Sequence, residues 1–514
     1  VARLGIDVGG TNTDAVLLDR GEVLAWAKEP TTPDVSTGIL RVVRDVLAQA
    51  RIAPNEIRAV MLGTTHFTNA VVQRQELARI AVLRLGLPAT ASIPPLEDWP
   101  DDLRDAVAGF VALLPGGHQF DGREISPLDH SALSQACERI TELGISSAVV
   151  TAVFSPATSA HENAVADFLA SRVPGLRITR SREIGRLGLL ERENAAALNA
   201  CLVPLAERTI RAFQDALAEL GLSAPLYLSQ NDGTLMTADF ATRYPVLTFA
   251  SGPTNSMRGA AVLSGLRDAI VLDVGGTTTD GGALVNGFPR EASFAVTIGG
   301  VRTNFRMPDV VSIGLGGGSL VAPDGRSVGP RSVGFRLMQE ARIFGGKTLT
   351  ASDIAVVAGR ARFGDPTCVA DLPPAVVQRA LAIIDQRLAE LVDSLKTSAG
   401  PVPVIVVGGG SVLVPDQLEG ASEVIRPPYA AVANAIGAAI AQVSGEVDRI
   451  VSLEGQTRES ALAAARADAR RAAIAAGADP ATVSVVEVEE VPIAYLPSNA
   501  VRIRIKAVGD LRGG

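Results

Sequence analysis

Two carboxylates each stand at the end of a short apolar run, followed by a glycine pair and a cluster of threonines. The strings are Asp7-Val8-Gly9-Gly10-Thr11-Asn12-Thr13-Asp14 and Asp273-Val274-Gly275-Gly276-Thr277-Thr278-Thr279-Asp280, identical at seven of eight positions. Glycines let a backbone approach an anion closely and adopt positive φ. The N–H groups of such a turn form an anion-binding nest, and threonine hydroxyls add donors without charge. Asp7 and Asp273 would repel a phosphate directly. Their chemistry is therefore to hold Mg2+ or its waters, since this ion takes oxygen ligands and keeps part of its hydration shell. Asp14 and Asp280 could orient water, ligate metal or tie the turn together. Two such turns facing each other would hold a polyphosphate from both sides. A single box would pass for an ordinary Gly-rich hairpin; its repetition, with the same flanks, favours the phosphate reading.

The elements around the boxes follow from the apolar pattern. Leu4–Val8, Ala15–Asp19 and Val23–Lys28 are expected strands, then an amphipathic helix at Ser36–Ala50, a strand at Arg58–Leu62, a helix at Thr68–Gln75 and a strand at Arg79–Leu83. That order describes a ribonuclease-H-like half over 1–87. Residues 88–250 interrupt it with Pro-rich loops, a strand at Ala148–Phe154 and long helices near 159–172 and 191–220. A second half, 251–445, restarts the pattern. Its buried run Val404–Val407 ends in Gly408-Gly409-Gly410-Ser411, and an Ala/Gly helix, Ala430–Gln442, carries Asn434 and Gly437. Residues 446–514 form a small α+β module with an Ala/Arg/Glu helix at Glu459–Ala476. The expected fold class is α/β, with duplicated ribonuclease-H-like (actin-like ATPase) halves around a nucleotide cleft.

Composition narrows the function classes. The chain is 47% hydrophobic with a net charge of −8. It shows no basic patch interleaved with aromatics, so nucleic acid is not an expected partner. No apolar run reaches the ~18 residues of a membrane span. No leader-like segment opens the chain at Val1, and Cys137, Cys201 and Cys368 are widely spaced, so a cytoplasmic setting is expected. The 4 histidines, His66, His118, His130 and His161, show no metal-ligand spacing, which disfavours a His-rich zinc site. Gly345-Gly346-Lys347-Thr348 lacks the leading glycine of a Walker loop, since Arg342 stands there.

Beyond the boxes, Gly63-Thr64-Thr65 with Thr68-Asn69-Ala70, Gln230-Asn231-Asp232-Gly233, Ser251-Gly252-Pro253 and Gly314-Leu315-Gly316-Gly317-Gly318-Ser319 occur in order. With these strings the chain resembles the hydantoinase/oxoprolinase family, type A subunits, in the actin/hexokinase/Hsp70-like superfamily. The resemblance implies ATP-dependent opening of a cyclic amide of the hydantoin, 5-oxoproline or lactam type, through phosphorylation of the carbonyl oxygen. It implies ATP and Mg2+ as cofactors, and a homo- or hetero-oligomer that in many members includes a type B subunit. Gly9, Gly10, Thr11, Thr13, Gly275, Gly276, Thr277 and Thr278 would then bind the nucleotide phosphates, and Asn12, Gly316 and Gly317 would also contact the nucleotide. Gly408, Gly409, Gly410 and Ser411 would contact the nucleoside. Asp7, Asp273, Asp232, Thr65 and Asn69 are the expected catalytic set, and Asp7, Asp273 and Asp309 the expected metal ligands.

The chain departs from the family at Asp309-Val310-Val311, where a valine replaces an expected histidine, and at 329–337, where a Cys-containing loop is absent. Three other readings share the cleft. They are the ATP-using subunit of a ketone carboxylase, a small-molecule kinase, and a nucleotide-gated scaffold.

Overall fold

The computed structural model describes residues 2–10, 12–32, 35–292, 295–440, 442–493 and 499–512. The first box lies on strand β1 (Ala2–Val8) and its antiparallel partner β2 (Asn12–Asp19), with β3 (Glu22–Pro30) outside them. β4 (Ile57–Thr64) lies parallel on the other side of β1, so Asp7 stands between Asp14 and Gly63. Leu4, Ile6 and Val8 point to one face, where Ile39, Val42, Val43 and Val46 of the Val35–Ala50 helix cover them. These positions follow the helical period of an amphipathic stripe.

Strand β5 (Ile80–Leu87), expected to close this half, instead opens a separate parallel sheet with β6 (Ala108–Pro115), β7 (Ser147–Ala152) and β8 (Arg177–Arg180). Its sequence, apolar apart from Arg84, suits a sheet covered on both faces, and such runs do not reveal which sheet they join. The fifth strand of the first half is β9 (Leu226–Ser229), parallel to β4, with β10 (Leu235–Thr237) beyond it. Helix Leu189–Glu219 packs on the first core. It is joined to the inserted sheet through Ser147 Oγ, which donates to Ala200 O at 2.7 Å, and through the fully buried pair Arg84–Glu193.

The second half repeats the arrangement. β11 (Ala269–Val274) pairs antiparallel with β12 (Thr279–Val285), and β13 (Phe288–Pro289) lies outside. Val402–Val407 lies parallel to β11 and Ala421–Ile425 parallel to that. Asp273 faces Asp280 across its hairpin as Asp7 faces Asp14. The C-terminal strands Val443–Val451, Val501–Gly509 and Ser484–Pro492 do not stand apart: they extend the first-half sheet to nine strands. The Arg458–Ala475 helix covers them with an alanine stripe, Ala461, Ala465, Ala469 and Ala473. Among the described residues no helix is long and apolar enough to cross a membrane.

Two short-side-chain helices, Ser251–Ser264 and Ala433–Ile440, pack against each other between the halves. Their backbones nearly touch. A Cβ on Gly259 would lie 1.9 Å from Ala433 O, and one on Gly437 would lie 1.8 Å from Asn255 O. Gly437→Ala is expected to cost about 3 kcal/mol, the upper range for overpacking, read as a fall in the thermal midpoint. An unchanged midpoint would show that the contact relaxes freely.

Candidate active site

The two boxes fold into the same turn. Gly9 N donates to Asn12 O at 3.0 Å, and Gly275 N donates to Thr278 O at 2.8 Å. Gly10, Gly276 and Thr277 form exposed tips, and nothing lies within 4 Å of a Cβ added to Gly10 or Gly276. Thr11 lies outside the described residues. Thr13 turns inward: its hydroxyl lies 3.3 Å from that of Thr31, which itself donates to Gly9 O at 2.8 Å. Thr279, its counterpart, donates to Leu315 O at 2.6 Å. These two threonines brace the turns from behind, so the expectation that Thr13 meets phosphate is corrected. The N–H and hydroxyl groups open to an anion belong to the tips.

The carboxylates are gripped by the crossing helices. Asn255 Nδ2 donates to Asp7 Oδ1 at 3.2 Å, and the next residue, Ser256, donates its hydroxyl to Asp273. Asn434 Nδ2 bridges Asp7 Oδ2 at 3.0 Å and Asp14 Oδ2 at 2.7 Å. Lys28, on β3 opposite Asp14, pairs with it at 2.7 Å. Consecutive residues of one helix thus hold one aspartate from each half, and this brings the two boxes to a common cleft. Burial pushes the Asp7 carboxyl up to about 6, with the Asp14 charge adding to it and the Asn255, Asn434 and Lys28 contacts opposing. Burial likewise pushes Asp273 up to about 6; Ser256 and Lys28 oppose this, while Asp280 and Asp7 reinforce it. Burial also raises Asp280. The cluster therefore carries more negative charge than its one lysine offsets, and its donors are oxygens, which is the donor set of a hard divalent cation.

Several expected nucleotide contacts prove to be supports. Gly317 N donates to Gly275 O at 3.0 Å, Gly318 N to Gly276 O at 2.7 Å and Gly410 N to Val274 O at 2.7 Å. Gly316 N donates to Ser319 Oγ at 2.9 Å, and a Cβ there would lie 2.6 Å from Thr277 N. Gly316, Gly317 and Gly410 therefore hold the second turn in shape. Gly408 has φ +88, and a Cβ there would lie 2.4 Å from Asp273 Oδ1, just as one on Gly63 would lie 2.2 Å from Asp7 Oδ1. Each aspartate needs a glycine on the neighbouring strand. Gly409 alone of its loop faces open space, with Ser411 N folded back onto Gly408 O at 3.3 Å.

Thr65 and Asn69 stand beside the first turn. Thr65 N donates to Val8 O at 3.3 Å, and Asn69 Nδ2 to Thr65 Oγ1 at 3.4 Å. Ser251 Oγ donates to Thr64 O at 3.0 Å, so the Gly63-Thr64-Thr65 string is tied to the helix that carries Asn255. Asp232 does not belong with them. Its carboxylate is bound by Lys506 Nζ at 2.6 Å and by the Thr234 backbone N–H and hydroxyl, at 2.9 and 2.6 Å. Despite its burial, Lys506 and Arg306 hold it well below the usual carboxylate range. Asp309 Oδ2 accepts from Arg290 at 2.7 and 3.1 Å. Among the described residues, neither side chain touches the turns, so both expectations are corrected. Lys28, Asn255 and Ser256 escaped the sequence reading, and Asn434 was noted there without a role; the cross-strand position of Lys28 opposite Asp14 was the one available signal.

With this geometry in hand, comparison with known proteins identifies the lineage. A model of the hydantoinase/oxoprolinase N-terminal region matches residues 3–173, and a hydantoinase/oxoprolinase model matches 192–370. The chain is 28% identical over 368 residues to caprolactamase subunit alpha of Pseudomonas jessenii, covering 65% of this chain and 51% of that one. It is also 28% identical over 390 residues to the acetophenone carboxylase gamma subunit of Aromatoleum aromaticum, covering 69% and 53%. It thus spans about half the length of these relatives. The crystal structure of the ATP-dependent caprolactamase from Pseudomonas jessenii superposes with a TM-score of 0.78 at 19% identity, over 99% of this chain and 88% of that one. That likeness shows the fold. The chain belongs to the hydantoinase/oxoprolinase family.

Proposed function

We propose that this chain uses ATP to open a cyclic amide of the hydantoin, 5-oxoproline or lactam type. The observation that carries the reading is the adjacency of Asn255 and Ser256, which orients Asp7 and Asp273 toward one cleft lined by two Gly-rich turns. The turn tips would cradle the phosphates, with Gly409 beside the nucleoside. Asp7 and Asp273 would hold Mg2+, which supplies charge neutralisation to the transferring phosphoryl group. The γ-phosphoryl passes from ATP to the amide oxygen, breaking its bond to the ADP oxygen. Water then adds to the activated carbon and the ring C–N bond breaks, leaving an acyl phosphate and a free amine; a second water cleaves the acyl phosphate to carboxylate and phosphate. An amide is a poor electrophile, and esterifying its oxygen makes that carbon attackable. Thr65 and Asn69, beside the first turn, would face the substrate.

A caprolactamase among the relatives supports this reading, and the acetophenone carboxylase subunit supports a second one, the ATP-using subunit of a ketone carboxylase. Both relatives are subunits, which supports a heteromeric assembly with a type B partner. ADP release measured on hydantoins, 5-oxoproline, lactams, and ketones with bicarbonate, with and without that partner, separates the readings. Ring opening coupled to ADP release is expected. Carboxylation of the ketone would favour the second reading, a stable phosphorylated product a kinase, and nucleotide binding without stimulated turnover a scaffold.

Asp7→Asn and Asp273→Asn are each expected to lower ATP turnover by about 100-fold or more, the scale of losing one electrostatic stabiliser; full turnover in either would remove the cleft from the mechanism. Asp232→Asn should behave differently. It leaves the buried Lys506 without its anion, so it is expected to cost about 3–5 kcal/mol of stability, measured by thermal unfolding.

The raised carboxyls also predict a pH dependence. An ordinary aspartate titrates at 3.8, and Asp7 and Asp273 at about 6. Between these values the folded chain holds protons that the unfolded chain has released. Their contribution to stability is therefore complete below 3.8 and lost as pH rises through 6. Mg2+ binds the ionised form, so its apparent affinity should rise with pH up to about 6, about tenfold per unit for each proton displaced, and level off above. Thermal shift with Mg2+ from pH 5 to 7.5 checks this; a flat profile would place the ion elsewhere.

A further inference from the structure

The inserted sheet has its own ligand geometry. Its strands lie in the order β6-β5-β7-β8, all parallel, so the chain leaves β5 to one side and returns on the other. In open α/β sheets, ligands bind outside the carboxyl ends of the strands where that reversal occurs, here at the ends of β5 and β7. Three polar side chains that sequence spacing kept apart meet there. His118, whose backbone N–H donates to Val153 O just past β7, packs against His161 with ring centroids 4.3 Å apart and planes tilted by 45°. Glu124, opposite His118 on a small hairpin, lies 3.1 Å from His161 Nε2. The ligating atoms of the three lie within 4.8 Å of one another. His118 and His161 are 4% and 7% exposed, and His118 Nδ1 has no hydrogen-bond partner among the described residues.

Two buried histidines and a carboxylate suggest a metal, but the hydrogen bonds oppose one. Gly117 N–H donates to His161 Nδ1 at 3.0 Å. The proton of the neutral ring must then sit on Nε2, the atom that faces Glu124. A metal would need that lone pair, with Nδ1 protonated and pointing at an acceptor; Gly117 offers a donor. His161 is therefore fixed as a hydrogen-bond donor toward the crevice. The helix Ala160–Arg172 starts at the same place, and its cap residue Ser159 makes no side-chain cap bond, so its dipole also favours an anion there. Glu124 fills that role from an exposed position, with 56% of its side chain open to solvent.

We propose that this crevice is a second binding site, for a small carboxylate, which displaces Glu124 from His161 Nε2 and draws on His118 as its other donor. Glu124 is then an internal competitor held by a short, solvent-exposed hairpin. The site lies on the inserted sheet, apart from the two Gly-rich turns, and does not depend on the chemistry assigned to them.

Titration of acetate and of glutarate into the full chain, without ATP, tests the proposal by calorimetry and thermal shift. Glu124→Ala removes the competitor and is expected to tighten carboxylate binding by roughly tenfold or more, equivalent to one charge-assisted hydrogen bond. Glu124→Gln, which keeps the shape and loses the charge, should fall between. His118→Phe keeps the ring contact and removes both nitrogens, so adding it to Glu124→Ala should abolish the gain. Binding no tighter in Glu124→Ala than in the unaltered chain would overturn the site, as would full retention in the double variant. One-to-one zinc binding by the unaltered chain that Glu124→Ala abolishes would overturn it in favour of a metal centre. Because ATP is absent throughout, none of these outcomes depends on the nucleotide cleft.

Discussion

The structure depends on holding like charges close together. Asp7 with Asp14 and Asp273 with Asp280 are cross-strand pairs of carboxylates at the mouth of one cleft. Like charges directly opposite in a hairpin are unfavourable, and burial makes the ionised forms costlier still. Neutral amides and hydroxyls from Asn255, Ser256 and Asn434, and the single ammonium of Lys28, offset part of this. None of them cancels it. In the proposed function a cation would answer this surplus, and the neighbouring backbone N–H groups of the tips would hold the anion that accompanies it.

That constraint explains residues with no polar atom to offer. Gly63 and Gly408 are required because the strand beside each aspartate must leave room for its carboxylate. Gly259 and Gly437 are required because Asn255 reaches Asp7, and Asn434 reaches Asp7 and Asp14, only if the two helices meet backbone to backbone. Gly5 on β1 belongs to the same set: a Cβ there would lie 2.3 Å from Ala435 O. The abundance of glycine and alanine in these segments is a consequence of placing two closely packed helices, which carry Asn255, Ser256 and Asn434, against two acidic strand ends.

Much of this was legible in the sequence where the chemistry is local. A box of eight residues contains its own turn, its own carboxylates and its own repeat, so Asp7, Asp273 and the glycine tips were identifiable without a fold. Asn255 was not, because its partner Asp7 is 248 residues away and an asparagine in a helix start carries no mark of it. Asp232 was misassigned for the same reason. An aspartate in a Gly-containing polar turn has the same local pattern whether it faces a substrate or Lys506 on the C-terminal strand. Strand β5 was assigned to the wrong sheet because a strand that is apolar but for Arg84 records burial, not neighbours.

The C-terminal strands tie the two halves together on one side. Glu291 and Arg306, on the second-half side of the chain, meet Glu446 and Arg504 on strands of the nine-stranded sheet, and Arg186 joins them through Glu291 at 3.1 Å. Lys506 adds its pair with Asp232 in the same region. Ionic groups so shielded from water lose much more when one partner leaves than an exposed pair does. This side therefore resists separation, while the turn tips carry only exposed glycine and threonine.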